Sequence, residues 1–143
     1  MKVFLRRSEN LHLLASARHF SGIHVDEPES FHGTDRGPSS VEYFLIGLGG
    51  CFGNTFTHCL NLNGVEVEDL EIEVDGKLKH VPPKMYLRIV EITVHITLEA
   101  ARGSDLDTIQ HCIDTFQDHC VIQASILRGI PIHVEIKKEK NED

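Results

Sequence analysis

Over the first 25 residues, apolar and polar side chains largely alternate. Val3 and Leu5, then Leu11, Leu13, Ala15 and Ala17, then Phe20 to Val25, are broken at Ser8-Glu9-Asn10 and near Ser21-Gly22. A period of two interrupted by turn residues predicts two or three short antiparallel strands. Asp26 to Gly37 gathers Asp, Glu, Pro, Ser, Gly and Thr and reads as a loop. At about a dozen residues it is long enough to form a lid or a substrate rim.

The period then changes. Val41, Phe44, Leu45, Leu48, Phe52, Thr55, Phe56, Cys59, Leu60 and Leu62 keep helical spacing. Gly37-Pro38 ends the loop, Ser39 is placed to cap the helix, and Glu42, three residues on, completes a capping box. Asn63-Gly64 supplies the stop, which gives a helix of about 24 residues, roughly 36 Å long. Alternation returns over Val65 to Lys79 and Met85 to Leu98. These read as two strands joined by a turn around Pro82-Pro83, with a phase change between Ile89 and Ile92 that predicts a bulge. A second helix is expected over Ser104 to His119, opened by Ser104 and Asp107. A short helix over Cys120 to Leu127 follows, closed by Gly129, and Ile130 to Ile136 reads as a last strand. With no repeat and no second domain apparent, residues 1–138 read as one domain and 139–143 as a charged, disordered tail.

Composition narrows the possible functions. The chain has 143 residues, with 22 acidic against 14 basic side chains and a formal charge of −8. Single domains peak at roughly 100–150 residues, so no stapling by metal or disulfide is required for a core. An acidic chain whose basic residues cluster only at Lys137, Lys138 and Lys140 is a poor match to nucleic acid or to an anionic membrane. No Trp is present, which removes the usual stacking platform for single strands. No secretory signal is apparent at the start and no run of about 18 apolar residues occurs, so a cytoplasmic location is expected. In a reducing compartment, Cys51, Cys59, Cys112 and Cys120 are expected to be buried, catalytic or metal-binding rather than structurally bridged.

The long helix carries Gly47, Gly49, Gly50 and Gly53 around Cys51, at a propensity cost of about 0.5–1 kcal/mol each. Close approach of another helix or of a second copy of the chain would account for it. So would a backbone cleared to let a small molecule reach Cys51. Cysteines eight apart on one helix are about 12 Å apart along its axis, too far for a bridge, which excludes Cys51–Cys59 and Cys112–Cys120. Antiparallel helices keep a constant index sum, and Cys51 with Cys120 shares its sum with Cys59 and Cys112. A helix turns about 80° over eight residues, so only one of the two pairs is expected to face squarely. The dipeptides His58-Cys59, His111-Cys112 and His119-Cys120 offer imidazole and thiolate, but neighbouring helical residues diverge by about 100° and no chelating spacing exists. No metal or other cofactor is expected.

The segment from Gly37 to Leu45 (GPSSVEYFL), followed by Gly49-Gly50-Cys51-Phe52, resembles the first-cysteine signature of the OsmC/Ohr family, the osmotically inducible and organic hydroperoxide resistance proteins. His119 to Ile126 (HCVIQASI) is similar to the family's second-cysteine segment, and the resemblance extends in order over nearly the whole chain. It implies an α+β fold, with antiparallel sheets packed around two central helices and assembled as an intertwined homodimer. It also implies thiol peroxidase chemistry in oxidative stress defence. Cys51 would attack an organic hydroperoxide and become a sulfenic acid, Cys120 would resolve it as a disulfide, and an external thiol or dithiol would reduce that disulfide. Leu48, Phe52 and Phe56 would form an apolar rim suited to an organic peroxide. Peroxidase members of the family place a glutamate ten residues before the first cysteine. Here that position is Val41, and Glu42, nine before, is the candidate acid, a placement shared with less-characterised OsmC-like branches. Arg36 and Arg18 are the candidates for an activating cation. The alternative is a non-catalytic family member that binds a small apolar ligand or senses redox state at the dimer interface.

Overall fold

A computed structural model describes residues 1–138 of the chain; the tail read at 139–143 lies outside the described residues. Three strands open the fold, β1 (Val3–Glu9), β2 (His12–Ala17) and β3 (Phe20–Val25), in a sheet of order β1-β2-β3 with antiparallel pairing. The following loop is fastened from within. Asp26, only 1% exposed, accepts hydrogen bonds from the Thr34 hydroxyl at 2.6 Å and from the N–H groups of Glu27, Thr34 and Arg36. The Thr34 hydroxyl, opposed by burial and helped by those N–H groups, holds the Asp26 carboxyl below its ordinary range. Arg36 forms an ion pair with Glu9 of β1. The segment expected to act as a lid or rim is therefore tied to its own sheet.

Helix α1 (Ser40–Leu62) starts as its capping signal predicts. The Ser39 hydroxyl accepts from the Glu42 N–H at 3.3 Å, and the Glu42 carboxylate accepts from the Ser39 N–H at 2.6 Å. It ends at Asn63, where Gly64 takes the left-handed φ of +75° that a side chain would resist. A long antiparallel hairpin follows, β4 (Val67–Val81) and β5 (Tyr86–Ala100). The expected bulge is present: Lys77 pairs with Glu91 and Leu78 with Ile89, which leaves Val90 as the extra residue. Leu70 and Val74 of β4 and Ile92, Val94, Ile96 and Leu98 of β5 pack toward a buried core of Leu48, Phe52, Phe56, Leu60, Val65 and Phe116.

Two of the four glycines of α1 serve this packing against a sheet. A Cβ on Gly49 would stand 2.9 Å from Val74 Cγ2, and one on Gly53 would stand 2.6 Å from Ile72 Cδ1, so the two clear α1 for contact with β4. Gly47 would meet Ile122 at an ordinary 3.9 Å, and Gly50 would meet nothing within 4 Å.

Helix α2 (Leu106–Thr115) is shorter than expected, and its cap is Asp105, not Ser104. The Asp105 carboxylate accepts from the N–H groups of Asp107 and Thr108, while the Ser104 hydroxyl donates back to the Ala101 carbonyl. A 3-10 turn (Phe116–His119) continues α2, and α3 (Val121–Arg128) closes at Gly129. The last strand expected over Ile130 to Ile136 does not form: a strand needs an edge to bond to, and within the described residues of this chain the segment pairs with none. Ile130, Ile132, Val134 and Ile136 are 60–88% exposed. The whole is an α+β fold of antiparallel sheets and helices, and no described helix is long and apolar enough to cross a membrane.

Candidate active site

Two cysteine pairs cross from α1 to the chain that runs antiparallel beside it. Cys59 and Cys112 form a disulfide with Cα atoms 5.7 Å apart, which corrects the expectation that none of the four cysteines is bridged. Cys51 and Cys120 are free thiols whose sulfurs lie 3.0 Å apart, about 1 Å beyond bonding distance. The expectation that only one pair could face α1 fails because the partner is not one regular helix. After Thr115 the backbone tightens into a 3-10 turn, with three residues per turn, and leaves it in extended form at Cys120. That change of phase turns Cys120 back toward α1.

The two free thiols are unequal. Cys51 is half-buried, whereas Cys120 is fully buried and donates its S–H toward the Cys51 sulfur. Partial burial pushes the Cys51 thiol up, but the Ile122 N–H, the Cys120 thiol, the Thr55 hydroxyl and the Val121 N–H together outweigh it, and the net shift is downward. Those two N–H groups belong to the first turn of α3, where no intrahelical acceptor exists and the helix dipole favours negative charge. Burial first, and the neighbouring Cys51 second, push the Cys120 thiol up. Of the two thiols, Cys51 is thus the one favoured to ionise first.

A pH dependence follows from these directions. The rate of alkylation of Cys51 by iodoacetamide should hold to lower pH than that of an ordinary thiol, whose pKa is about 8.5, and fall only below its own depressed pKa. Cys120 should stay unmodified throughout that range. Peptide mass mapping at several pH values checks this, and faster labelling of Cys120 would contradict it.

Among the described residues of one chain, the expected charged residues do not reach this pair. Nine residues turn a helix by half a revolution, so Glu42 lies on the face of α1 opposite Cys51, where its carboxylate serves the cap. Arg36 is held by Glu9, and the Arg18 guanidinium lies 5.3 Å from the centre of the Phe20 ring. The groups that do surround Cys51, the Thr55 hydroxyl and the α3 N–H groups, did not figure in the reading of the sequence. A cysteine immediately preceding a short helix was the available signal.

A cavity of about 340 Å³ opens between α1, β5 and α3, walled by Leu48, Phe52, Ile92, Val94 and Phe116; neither thiol lines it, but Phe52 is the neighbour of Cys51 in α1. Phe56, expected on the rim, is not on this wall; it packs against Phe116, with ring centres 5.0 Å apart. The Gln123 side-chain amide donates to the Gln117 side-chain oxygen (Oε1) at 3.2 Å, while its own oxygen is buried without a partner. Among the described residues, no three His, Cys, Asp or Glu side chains gather closely enough to hold a metal ion.

The OsmC-like protein family matches residues 33–135, a span that holds all four cysteines. A search of curated proteins found no match. Among solved structures, an OsmC-like protein from Mycoplasma pneumoniae superposes with a TM-score of 0.73 at 20% identity, over 90% of this chain and 87% of that one. An OsmC-like protein of unknown function from Vibrio cholerae gives 0.70 at 11% identity, over 86% and 90%. The organic hydroperoxide resistance protein OhrB of Bacillus subtilis gives 0.56 at 19% identity, over 86% and 87%. At these identities the likeness is one of fold, but the family match spans most of the chain, from the loop before α1 to the segment beyond α3. The chain therefore belongs to the OsmC-like protein family.

Proposed function

We propose that the protein is a cofactor-free thiol peroxidase that reduces organic hydroperoxides in oxidative stress defence in the cytoplasm, with Cys51 and Cys120 as the reacting pair. The observation that carries this reading is the 3.0 Å approach of a half-buried thiol with a depressed pKa to a fully buried one with a raised pKa. The Cys51 thiolate attacks the terminal peroxide oxygen, the O–O bond breaks, and the departing alkoxide takes a proton to leave as alcohol. Cys51 is then a sulfenic acid. The Cys120 sulfur attacks it, water leaves, and a Cys51–Cys120 disulfide remains for an external dithiol to reduce. The apolar cavity between Leu48, Phe52 and Phe116 supports an organic rather than an inorganic peroxide. The acid and cation roles first assigned to Glu42 and to Arg36 or Arg18 pass in this reading to Cys120 and the α3 N–H groups, while the Thr55 hydroxyl donates to the Cys51 carbonyl at 2.7 Å.

The test is stopped-flow mixing of reduced protein with cumene hydroperoxide. One equivalent should be consumed as two thiols disappear, and the 51–120 disulfide should then be found by peptide mass. Consumption no faster than that by a free thiol would defeat the reading. It would favour instead a non-catalytic protein that holds a small apolar ligand in the cavity.

The working unit in this proposal is a homodimer. Ile130, Ile132, Val134 and Ile136 alternate, are exposed, and pair with no strand of this chain among the described residues, while the β4-β5 hairpin keeps both outer edges open. A second copy can supply the missing edge to each segment. Ile132→Asp with Val134→Asp should shift the protein from dimer to monomer in sedimentation velocity. A monomeric wild type would contradict the proposal.

A further inference from the structure

The Cys59–Cys112 disulfide takes no part in the chemistry above, yet it lies on the same pair of elements as the reacting thiols. From Cys59, Cys51 is eight residues back along α1; from Cys112, Cys120 is eight residues on. Midway, Phe116 is buried with its ring centre 5.8 Å from that of Phe52 and 5.0 Å from that of Phe56. The chain from Cys112 to Cys120 therefore lies along α1 and meets it at three levels: a covalent bond, an aromatic contact, and the approach of two thiols.

Besides the disulfide, helix α2 is held to the core by the partly buried Ile109. Of its ten residues only Cys112 is buried, and a helix this short is marginal without tertiary contacts. We propose that the Cys59–Cys112 disulfide is a positioning element, which keeps Cys120 within bonding range of Cys51. This rests on the reading of Cys51 and Cys120 as a reacting pair.

The size of the effect follows from chain closure. Without the cross-link, Cys51 and Cys120 are 69 residues apart; with it, the connecting path is two eight-residue arms. Closure probability falls as the three-halves power of loop length, so the cross-link is worth up to about a ninefold gain in the effective concentration of Cys120 at Cys51. A dithiol that reduces the bond passes two electrons and two protons to the two cysteine sulfurs and is itself oxidised to a disulfide. The pair thereby makes the resolving step responsive to the thiol pool.

The test uses 5,5′-dithiobis(2-nitrobenzoate) and so does not depend on peroxide chemistry. The Cys51 thiolate attacks the reagent and releases one thionitrobenzoate; Cys120 then attacks the mixed disulfide, releases the second and closes the 51–120 bond. Protein with the 59–112 bond intact is compared with the Cys59→Ser, Cys112→Ser double variant. Fully reduced wild type, with each disulfide assigned by peptide mass, gives the same comparison without substitution. We expect the first release to change less than about twofold and the second to slow by up to about ninefold. A second release at the original rate once the bond is gone would overturn the proposal, as would equal slowing of both, which is what a general loss of structure produces. No first release in any form would remove the reacting pair and this inference together. A Cys51 that reacts with the reagent but not with cumene hydroperoxide would defeat the peroxidase reading alone.

Discussion

Cys51→Ser should reduce peroxide consumption to the rate of buffer alone, whereas Cys120→Ser should complete the first chemical step and stop there. The contrast follows from the site. The attacking species is a thiolate, and a serine hydroxyl at the same place is not ionised at neutral pH and has no neighbouring base to take its proton. The groups around Cys51 favour a charge on sulfur through N–H donors and the Cys120 thiol; none of them is a base. At position 120 the loss is different. A sulfenic acid would still form on Cys51, but with no thiol at 3.0 Å to condense with it it should persist, be trapped by dimedone, and advance to sulfinic acid under excess peroxide. The serine hydroxyl is still a hydrogen-bond donor, so the first step should be changed far less than the second. Stopped-flow consumption with intact-mass analysis reads both variants. Wild-type consumption by Cys51→Ser would overturn the assignment, and clean turnover by Cys120→Ser would show that another thiol resolves the intermediate.

The largest expected effect on stability is that of Phe116→Ala, a loss of about 3 kcal/mol in urea denaturation. Truncation of a buried phenylalanine costs about 3–5 kcal/mol through lost transfer energy and the void left behind. The low end applies because one side of the Phe116 ring already faces a cavity, so fewer contacts are lost there than in a closed core. The ring is 7% exposed and packs on both Phe52 and Phe56. It is also the middle of the three contacts that hold the chain carrying Cys120, so 51–120 disulfide formation should slow in the same variant. A loss below about 1 kcal/mol would show that the cross-link alone holds this segment.

Both predictions turn on residues that a linear reading weighed unevenly. The α1 boundary was legible because its cause is local: Ser39 and Glu42 satisfy each other's N–H groups three residues apart. The bulge was legible for the same kind of reason, as a change in alternation at Val90. The start of α2 was misplaced by one signal among several, since Ser104, Asp105 and Asp107 are all capping residues and only the backbone geometry chose Asp105. The glycines were recognised as a cleared surface, but the element that approaches it is β4, and nothing in a helix's own sequence says what packs on it.

By itself, the sequence determined the order of elements, the caps and turns that bound α1, the alternating faces of the β4-β5 hairpin, the family, and the equal index sums of the two cysteine pairs. Each depends on residues a few positions apart or on patterns carried along the chain. Only the tertiary structure decided that both cysteine pairs meet, that one is bonded and the other is free, and that within one chain the neighbours of Cys51 are N–H groups of α3. The physical reason is that side-chain direction at a crossing depends on the phase of both partners. The 3-10 turn at Phe116–His119 resets that phase by an amount that helical periodicity does not contain. The segment 130–136 marks the same boundary from the other side: its alternation specifies a strand, but a strand exists only where another edge supplies its hydrogen bonds.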